Sequence, residues 1–179
     1  MPVPTLIITG TVGVGKSAVA AEINDVLALL GISNAAVDVD ALVWQWPSST
    51  PWNSDLAFEN LAALWPNYHA HGAARLILAR VVEERSELER YRTAIPDAVI
   101  TVCRLTAPEG LRRRRLQTRM PPGESLDWHL RRTVELEELL EAGQVEDFAV
   151  DNGERPIREV AIEVLLRNDW ISRAQAASI

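Results

Sequence analysis

The sequence predicts a three-layer α/β protein, a five-stranded parallel sheet with helices on both faces. Three observations carry this. Short apolar runs alternate with amphipathic helical stripes along the chain, as crossover connections require. A glycine-punctuated turn joins the first run directly to the first stripe. The 179 residues, 47% apolar and 24% charged, suit one hydrophobic core, so positions 1–179 are read as a single domain.

Residues 5–9 (TLIIT) form a β-branched first strand, and 10–15 form the glycine turn. From Lys16 a stripe of Ala18, Val19, Ile23, Val26, Leu27 and Leu30 marks a helix that stops at Gly31. Residues 35–39 are a second strand ending in acids at Asp38 and Asp40. An insertion over about 41–72 holds Trp44, Trp46, Trp52 and Trp65, is broken by Pro47 and Pro51, and contains a helix over about 55–64.

Residues 75–82 form the third strand, and 86–93 a polar helix with Ser86 as N-cap. Residues 98–105 are the fourth strand, with Cys103 inside the sheet. A helix follows Pro108 through Leu111 and Leu116 to Met120, then a Pro-Pro-Gly break and a helix over 125–142; the lid region is about 112–132. The fifth strand, 148–150, leads through 151–156 into a closing helix over 157–168. No internal repeat is present.

A net charge of −7 disfavours a protein that coats nucleic acid, which needs a basic face. No run approaches the roughly 18 apolar residues of a membrane span. One cysteine forms no internal disulfide, and the opening residues lack a signal-peptide pattern. The expectation is a cytoplasmic protein, monomeric or homodimeric, with no nucleic-acid or membrane partner.

Gly10-Thr11-Val12-Gly13-Val14-Gly15-Lys16-Ser17 matches G-x-x-x-x-G-K-[ST], with a strand before it and a helix, entered by Ala18, after it. Glycines let backbone N–H groups turn inward onto phosphate oxygens, and the helix start adds its positive dipole end. Lys16 is expected on the β- and γ-phosphates and the Ser17 hydroxyl on Mg²⁺. Lys16 is the only lysine beside 17 arginines, which singles out a position needing a compact ammonium. A chain without another lysine contains neither N-K-x-D nor T-K-x-D for reading guanine, and no D-x-x-G switch or L-S-G-G-Q stretch occurs. A small ATP-using kinase remains.

In such sheets ligands collect beyond the carboxyl ends of the strands, so 10–17, Asp38, Asp40, the end of 75–82 and Arg104 are expected to converge on one crevice. Strand alternation places Asp38 and Asp40 on one face. One takes the proton of an attacking hydroxyl and the other holds Mg²⁺ through water, with Asp38 the preferred base and Asp40 the metal residue; the alternative is strand-end and N-cap acids. Arg112 to Arg115 spread around a helix and are mostly solvated, whereas Arg115 and Arg119, four apart, form the pair for the γ-phosphate. Arg131 or Arg132 reaches in from the other lid arm. Trp44 and Trp46 are expected at an acceptor pocket and the other insertion tryptophans in its small core. Glu83 is the candidate acid at the end of the third strand. His69, His71 and His129 have no metal-ligand company.

The phosphate loop, the D-V-D at Asp38 to Asp40, the arginine-rich L-R-R-R-R-L-Q-T-R after the fourth strand and the V-D-N-G-E-R-P-I-R-E-V-A near the end together resemble the nucleoside-monophosphate-kinase-like branch of P-loop proteins. That branch includes shikimate kinase, adenylyl-sulfate kinase, gluconate kinase and chloramphenicol phosphotransferase. The resemblance implies a P-loop NTPase fold with a helical lid, ATP and Mg²⁺ as cofactors, and an acid of the second strand that binds the acceptor or acts as its base. It implies lid arginines closing on the phosphates and a final loop, with Asn152, Arg155 and Pro156, bordering the nucleotide. The chain has no Gly-Gly pair, so the glycine triplet of shikimate kinase is absent, and Asp40 is followed by Ala-Leu instead of the arginine-bearing continuation of adenylyl-sulfate kinase. The reading is transfer of the γ-phosphate of ATP to a hydroxyl of a small molecule, a secondary metabolite or antibiotic being favoured, at a site that includes Asp38, Asp40, Trp44, Trp46 and Arg132. The alternatives are a nucleoside or nucleotide kinase and an ATP-binding regulator without kinase activity.

Overall fold

The computed structural model describes residues 1–48, 52 and 54–179; Pro51 of the insertion lies outside them. The strands β1 (Val3–Thr9), β2 (Ala35–Asp38), β3 (Leu76–Ala79), β4 (Ala98–Thr106) and β5 (Phe148–Asp151) form one all-parallel sheet in the order β2-β3-β1-β4-β5. The helices are α1 (Lys16–Leu29), α2 (Ser54–Ala70), α3 (Leu88–Ala94), α4 (Glu109–Arg119), α5 (Glu124–Gly143), α6 (Ile157–Arg167) and a short α7 (Arg173–Ala176) that the periodicity does not predict.

Strand alternation makes two cores. Leu6 and Ile8 of β1, with Ile77 and Cys103, face Val19, Ile23, Val26 and Leu27 of α1 and Val160 and Val164 of α6. Val3 and Ile7, with Leu76, Leu78 and Val102, face Phe58 and Leu61 of α2 and Tyr91 of α3. Gly31 ends α1 as expected: at φ +67° it turns the chain so that its N–H donates to Ala28 O and that of Ile32 to Leu27 O.

Three expectations change. β3 is shorter than 75–82 because its partner β1 stops at Thr9; the Arg80 N–H still donates to Ile8 O (3.2 Å) and the Val82 N–H to Thr9 Oγ1 (2.9 Å) as the chain leaves the sheet. α2 runs past 64, carrying Pro66 inside it, since Phe58, Leu61 and Trp65 form one buried stripe. Ser86 is not the cap before α3: it lies in a 3-10 turn (Arg85–Glu87) whose start is closed by a reciprocal box between Glu84 and Glu87, and it donates to Glu84 Oε2. No helix among the described residues is long and apolar enough to cross a membrane.

Candidate active site

β1 lies between β3 and β4, where the crossovers part to opposite sides, and its carboxyl end opens into the loop from Gly10 to Gly15. Two glycines there are obligatory. A Cβ on Gly10 (φ +140°) would sit 2.6 Å from Leu105 O, and one on Gly15 (φ +102°) 2.6 Å from Asn152 Nδ2. The loop wraps its own lysine: Lys16 Nζ donates to Gly10 O (3.0 Å) and Thr11 O (3.1 Å). Burial lowers the Lys16 ammonium to about 8; Asp40 and then Asp38 oppose that shift, and Arg119 adds to it.

Phosphate oxygens favour the charged ammonium that burial disfavours, so nucleotide binding is linked to a proton on Lys16. The affinity for Mg-ATP is therefore expected to fall about tenfold per pH unit above the Lys16 value, the slope of a one-proton linkage. Tryptophan fluorescence titrations between neutral and alkaline pH test this; a flat profile would show that Lys16 does not meet the phosphates.

A ring of side chains braces the loop from outside. Arg112 Nη1 donates to Thr11 Oγ1 (2.9 Å) and to Glu137 Oε2, and Glu137 Oε1 accepts from Arg104 Nη2 (2.9 Å). Thr133 Oγ1 donates to Val12 O (2.8 Å), while Asn152 Nδ2 (2.7 Å) and Arg115 Nη1 (3.1 Å) both donate to Val14 O. The expectation that the four arginines are mostly solvated fails at Arg112, which is 5% exposed. The overlooked signal is its spacing: Arg112 lies one turn before the buried Leu116 and so shares its inward face. Arg104 belongs to the same network, held by Glu137 and Glu146, and does not line the crevice, because its side chain points to the α5 side of β4.

Glu137→Ala would leave the Arg112 guanidinium buried without its carboxylate, a change that costs about 3 kcal/mol or more. In a chain of this size the melting temperature should fall by roughly 6–12 °C, read by calorimetry. A shift under about 2 °C would show that the pair is energetically neutral.

The loop opens into a cavity of about 1100 Å³. Its phosphate-loop end is formed by Val12, Gly13, Gly15, Lys16, Ser17 and Ala18, with Arg115 and Arg119 of α4 beside them. Arg115 also donates to Gly153 O (2.8 Å) and so is committed to the loop, whereas Arg119 is exposed and has no ion pair among the described residues. The other end carries Asp40, Arg80, Glu83, Trp44, Trp52 and, from α5, Trp128, His129 and Arg132. The Trp52 and Trp128 rings lie 5.3 Å apart, forming an aromatic wall between the insertion and the lid. The expected end of 75–82 does reach the cavity, through Arg80 and Val81, whereas sequence reasoning missed Trp128 and His129 as cavity residues.

Asp38 and Asp40 do not act as an alternating pair. The strand ends at Asp38, and Val39–Val43 is a 3-10 turn whose N-cap is the Asp38 carboxylate, accepting from the Asp40 N–H at 3.1 Å. Of the two only Asp40 lines the cavity, so the geometry does not support the preference for Asp38 as base. Asp40 faces the open cavity and is solvent-exposed, yet the walls around it strip enough water to raise its carboxyl above the usual range, against the pull of Lys16 and Arg80. Trp46 is 91% exposed and, unlike Trp44, lies outside the cavity lining. Arg132 is present but paired with Glu83 and Glu135 (3.5 Å). Asn152 braces the loop from behind. Arg155 pairs with Glu163 (2.6 Å) and Pro156 caps α6, and neither lines the cavity.

Among the described residues no cluster of three or more His, Cys, Asp or Glu side chains is placed to hold a metal. Mg²⁺ bound with a nucleotide needs only one or two protein oxygens beside the phosphates, and the Ser17 hydroxyl and Asp40 carboxylate, which line the same cavity, fit that demand.

The architecture is the P-loop NTPase fold in the form found in small kinases. Among solved structures the chain is similar to the tunicamycin resistance protein of Deinococcus radiodurans, at 17% identity over 92% of this chain and 95% of that one, with a TM-score of 0.65. It is similar to a gluconokinase from Sinorhizobium meliloti (19% identity, 98% and 97% covered, TM-score 0.59). It also resembles the adenylyl-sulfate (APS) kinase of Mycobacterium tuberculosis, solved with AMPPNP and APS (20%, 92% and 97% covered, TM-score 0.56). No family model and no curated protein matches the chain.

Proposed function

We propose that this protein is an ATP-dependent phosphotransferase that moves the γ-phosphoryl group to a hydroxyl of a small molecule. One observation carries the reading: the phosphate loop with Lys16, the exposed Arg119 and the carboxylate of Asp40 open into one cavity that extends beyond the phosphate loop to an aromatic wall. A protein that only bound nucleotide would have no use for an acid and an aromatic compartment beyond the phosphates.

In the reaction, the acceptor oxygen attacks the γ-phosphorus, its proton passes to Asp40, the bond to the bridging oxygen breaks and ADP leaves. Lys16 and Arg119 neutralise charge on the transferring group, and Arg115 keeps the loop in shape for it. Ser17 and Asp40 are the residues that would hold Mg²⁺, and the ion would supply charge neutralisation for the phosphates. The aromatic wall suits an acceptor with a planar or apolar body, so a secondary metabolite or antibiotic is the favoured class. The likeness to a tunicamycin resistance protein and to a kinase solved with AMPPNP supports both halves of this reading. The test is ADP release from Mg-ATP over hydroxylated antibiotics, nucleosides, nucleotides and sugars; release that no acceptor stimulates, despite tight Mg-ATP binding, would favour a nucleotide-binding regulator.

A further inference from the structure

Arg80 stands where β3 leaves the sheet, its backbone anchored through its N–H to Ile8 O. It is 8% exposed, yet it lines the acceptor end of the cavity. Its guanidinium lies 5.6 Å from the Phe58 ring centre, and its Nη1 is buried with no hydrogen-bond partner among the described residues. Arg90 stacks on the same ring at 4.3 Å, but Arg90 is neutralised by Asp55 (2.6 Å) and bonded to Ser54. Arg80 has no such carboxylate among the described residues.

The acids near it are occupied. Glu83 pairs with Arg132; Glu87 Oε1 accepts the N–H groups of Glu83 and Glu84; Glu84 accepts from Ser86. Asp40 attracts Arg80 across the cavity without forming an ion pair. The nearby Tyr91 hydroxyl is buried and also has no hydrogen-bond partner among the described residues. A buried guanidinium without a counterion is costly, and its planar fork matches two oxygens of a carboxylate or phosphate.

We infer that Arg80 recognises an anionic group, carboxylate or phosphate, on the phosphoryl acceptor, and that this group seats the molecule with its hydroxyl at Asp40. The inference rests on the phosphotransferase reading and names its acceptor as an anion carried on an apolar or aromatic body. Arg80 is thus a binding and specificity residue, separate from the charges that meet the nucleotide.

The test uses the whole protein loaded with Mg-AMPPNP, so that the phosphate loop is filled. Benzoate, phenyl phosphate and benzamide are titrated while tryptophan fluorescence is read, since Trp44, Trp52 and Trp128 line the cavity. The two anions are expected to bind at least about tenfold more tightly than benzamide, and the tighter of them tells carboxylate from phosphate. Arg80→Met should abolish the difference while leaving AMPPNP affinity unchanged, a pattern that a merely structural Arg80 would not give. Should that variant unfold, Arg80→Gln serves in its place. Equal binding of all three probes, or an anion preference that survives the substitution, overturns the inference. Failure of AMPPNP itself to bind would instead overturn the phosphotransferase reading.

Discussion

Lys16→Ala is expected to abolish acceptor-dependent ADP release, lowering kcat/KM by about 10²–10³-fold, or roughly 3–4 kcal/mol of transition-state stabilisation. The fold should not suffer. Burial penalises the Lys16 ammonium and pushes it down to about 8 in the folded chain, below the ordinary lysine range. A group whose folded pKa is lowered in this way destabilises the native state below its folded value, and the cost is relieved as pH rises between the two values. At neutral pH the empty loop therefore carries an uncomfortable charge, and its removal should leave the melting temperature unchanged or higher. The pairing of lost turnover with an intact or raised melting temperature separates a phosphate-binding lysine from a structural one. Turnover near that of the wild type would sink the assignment, and a large fall in melting temperature would mean that the bonds from Lys16 to the Gly10 and Thr11 carbonyls hold the loop together.

The frame of the fold was legible because its signals are local and periodic. The alternation of Leu6 and Ile8 against Ile7, the stripe of α1 and the glycine after it each follow from the geometry of one element. The phosphate loop was legible because its glycines answer to backbone constraints, such as the close approach of Gly10 to Leu105 O, that few other sequences meet. The acceptor side was less readable, since it is assembled between elements. Trp128 belongs to α5 and meets Trp52 of the insertion only through tertiary packing. Arg80 ends what reads as a longer apolar strand, and nothing in its neighbours announces an unpaired charge. The error at Asp38 is one of period: two carboxylates two apart share a face only while the strand continues, and here a 3-10 turn begins between them.

The same geometry makes Asp40 and Asp38 separable by experiment. Asp40→Asn keeps the shape and polarity of the side chain but removes the base, and loss of general-base assistance typically costs about 10²–10⁴-fold in rate. The variant should therefore lose turnover while retaining most of its affinity for Mg-ATP, because Lys16 and the loop amides remain. Desolvation raises the Asp40 carboxyl, so in the wild type kcat/KM should climb with pH as that group ionises and decline again as Lys16 of the free enzyme deprotonates near 8. Asp40→Asn should erase the acid limb of that profile and leave the alkaline one. Asp38→Asn, by contrast, preserves an oxygen that accepts the Asp40 N–H, and asparagine caps as well as aspartate does, so activity and stability should both stay near wild type. Asp38→Ala should cost only the cap, about 1 kcal/mol. If Asp38→Asn proved the silent enzyme and Asp40→Asn the active one, the 3-10 turn would have to unwind when the acceptor binds, and the base would pass back to Asp38.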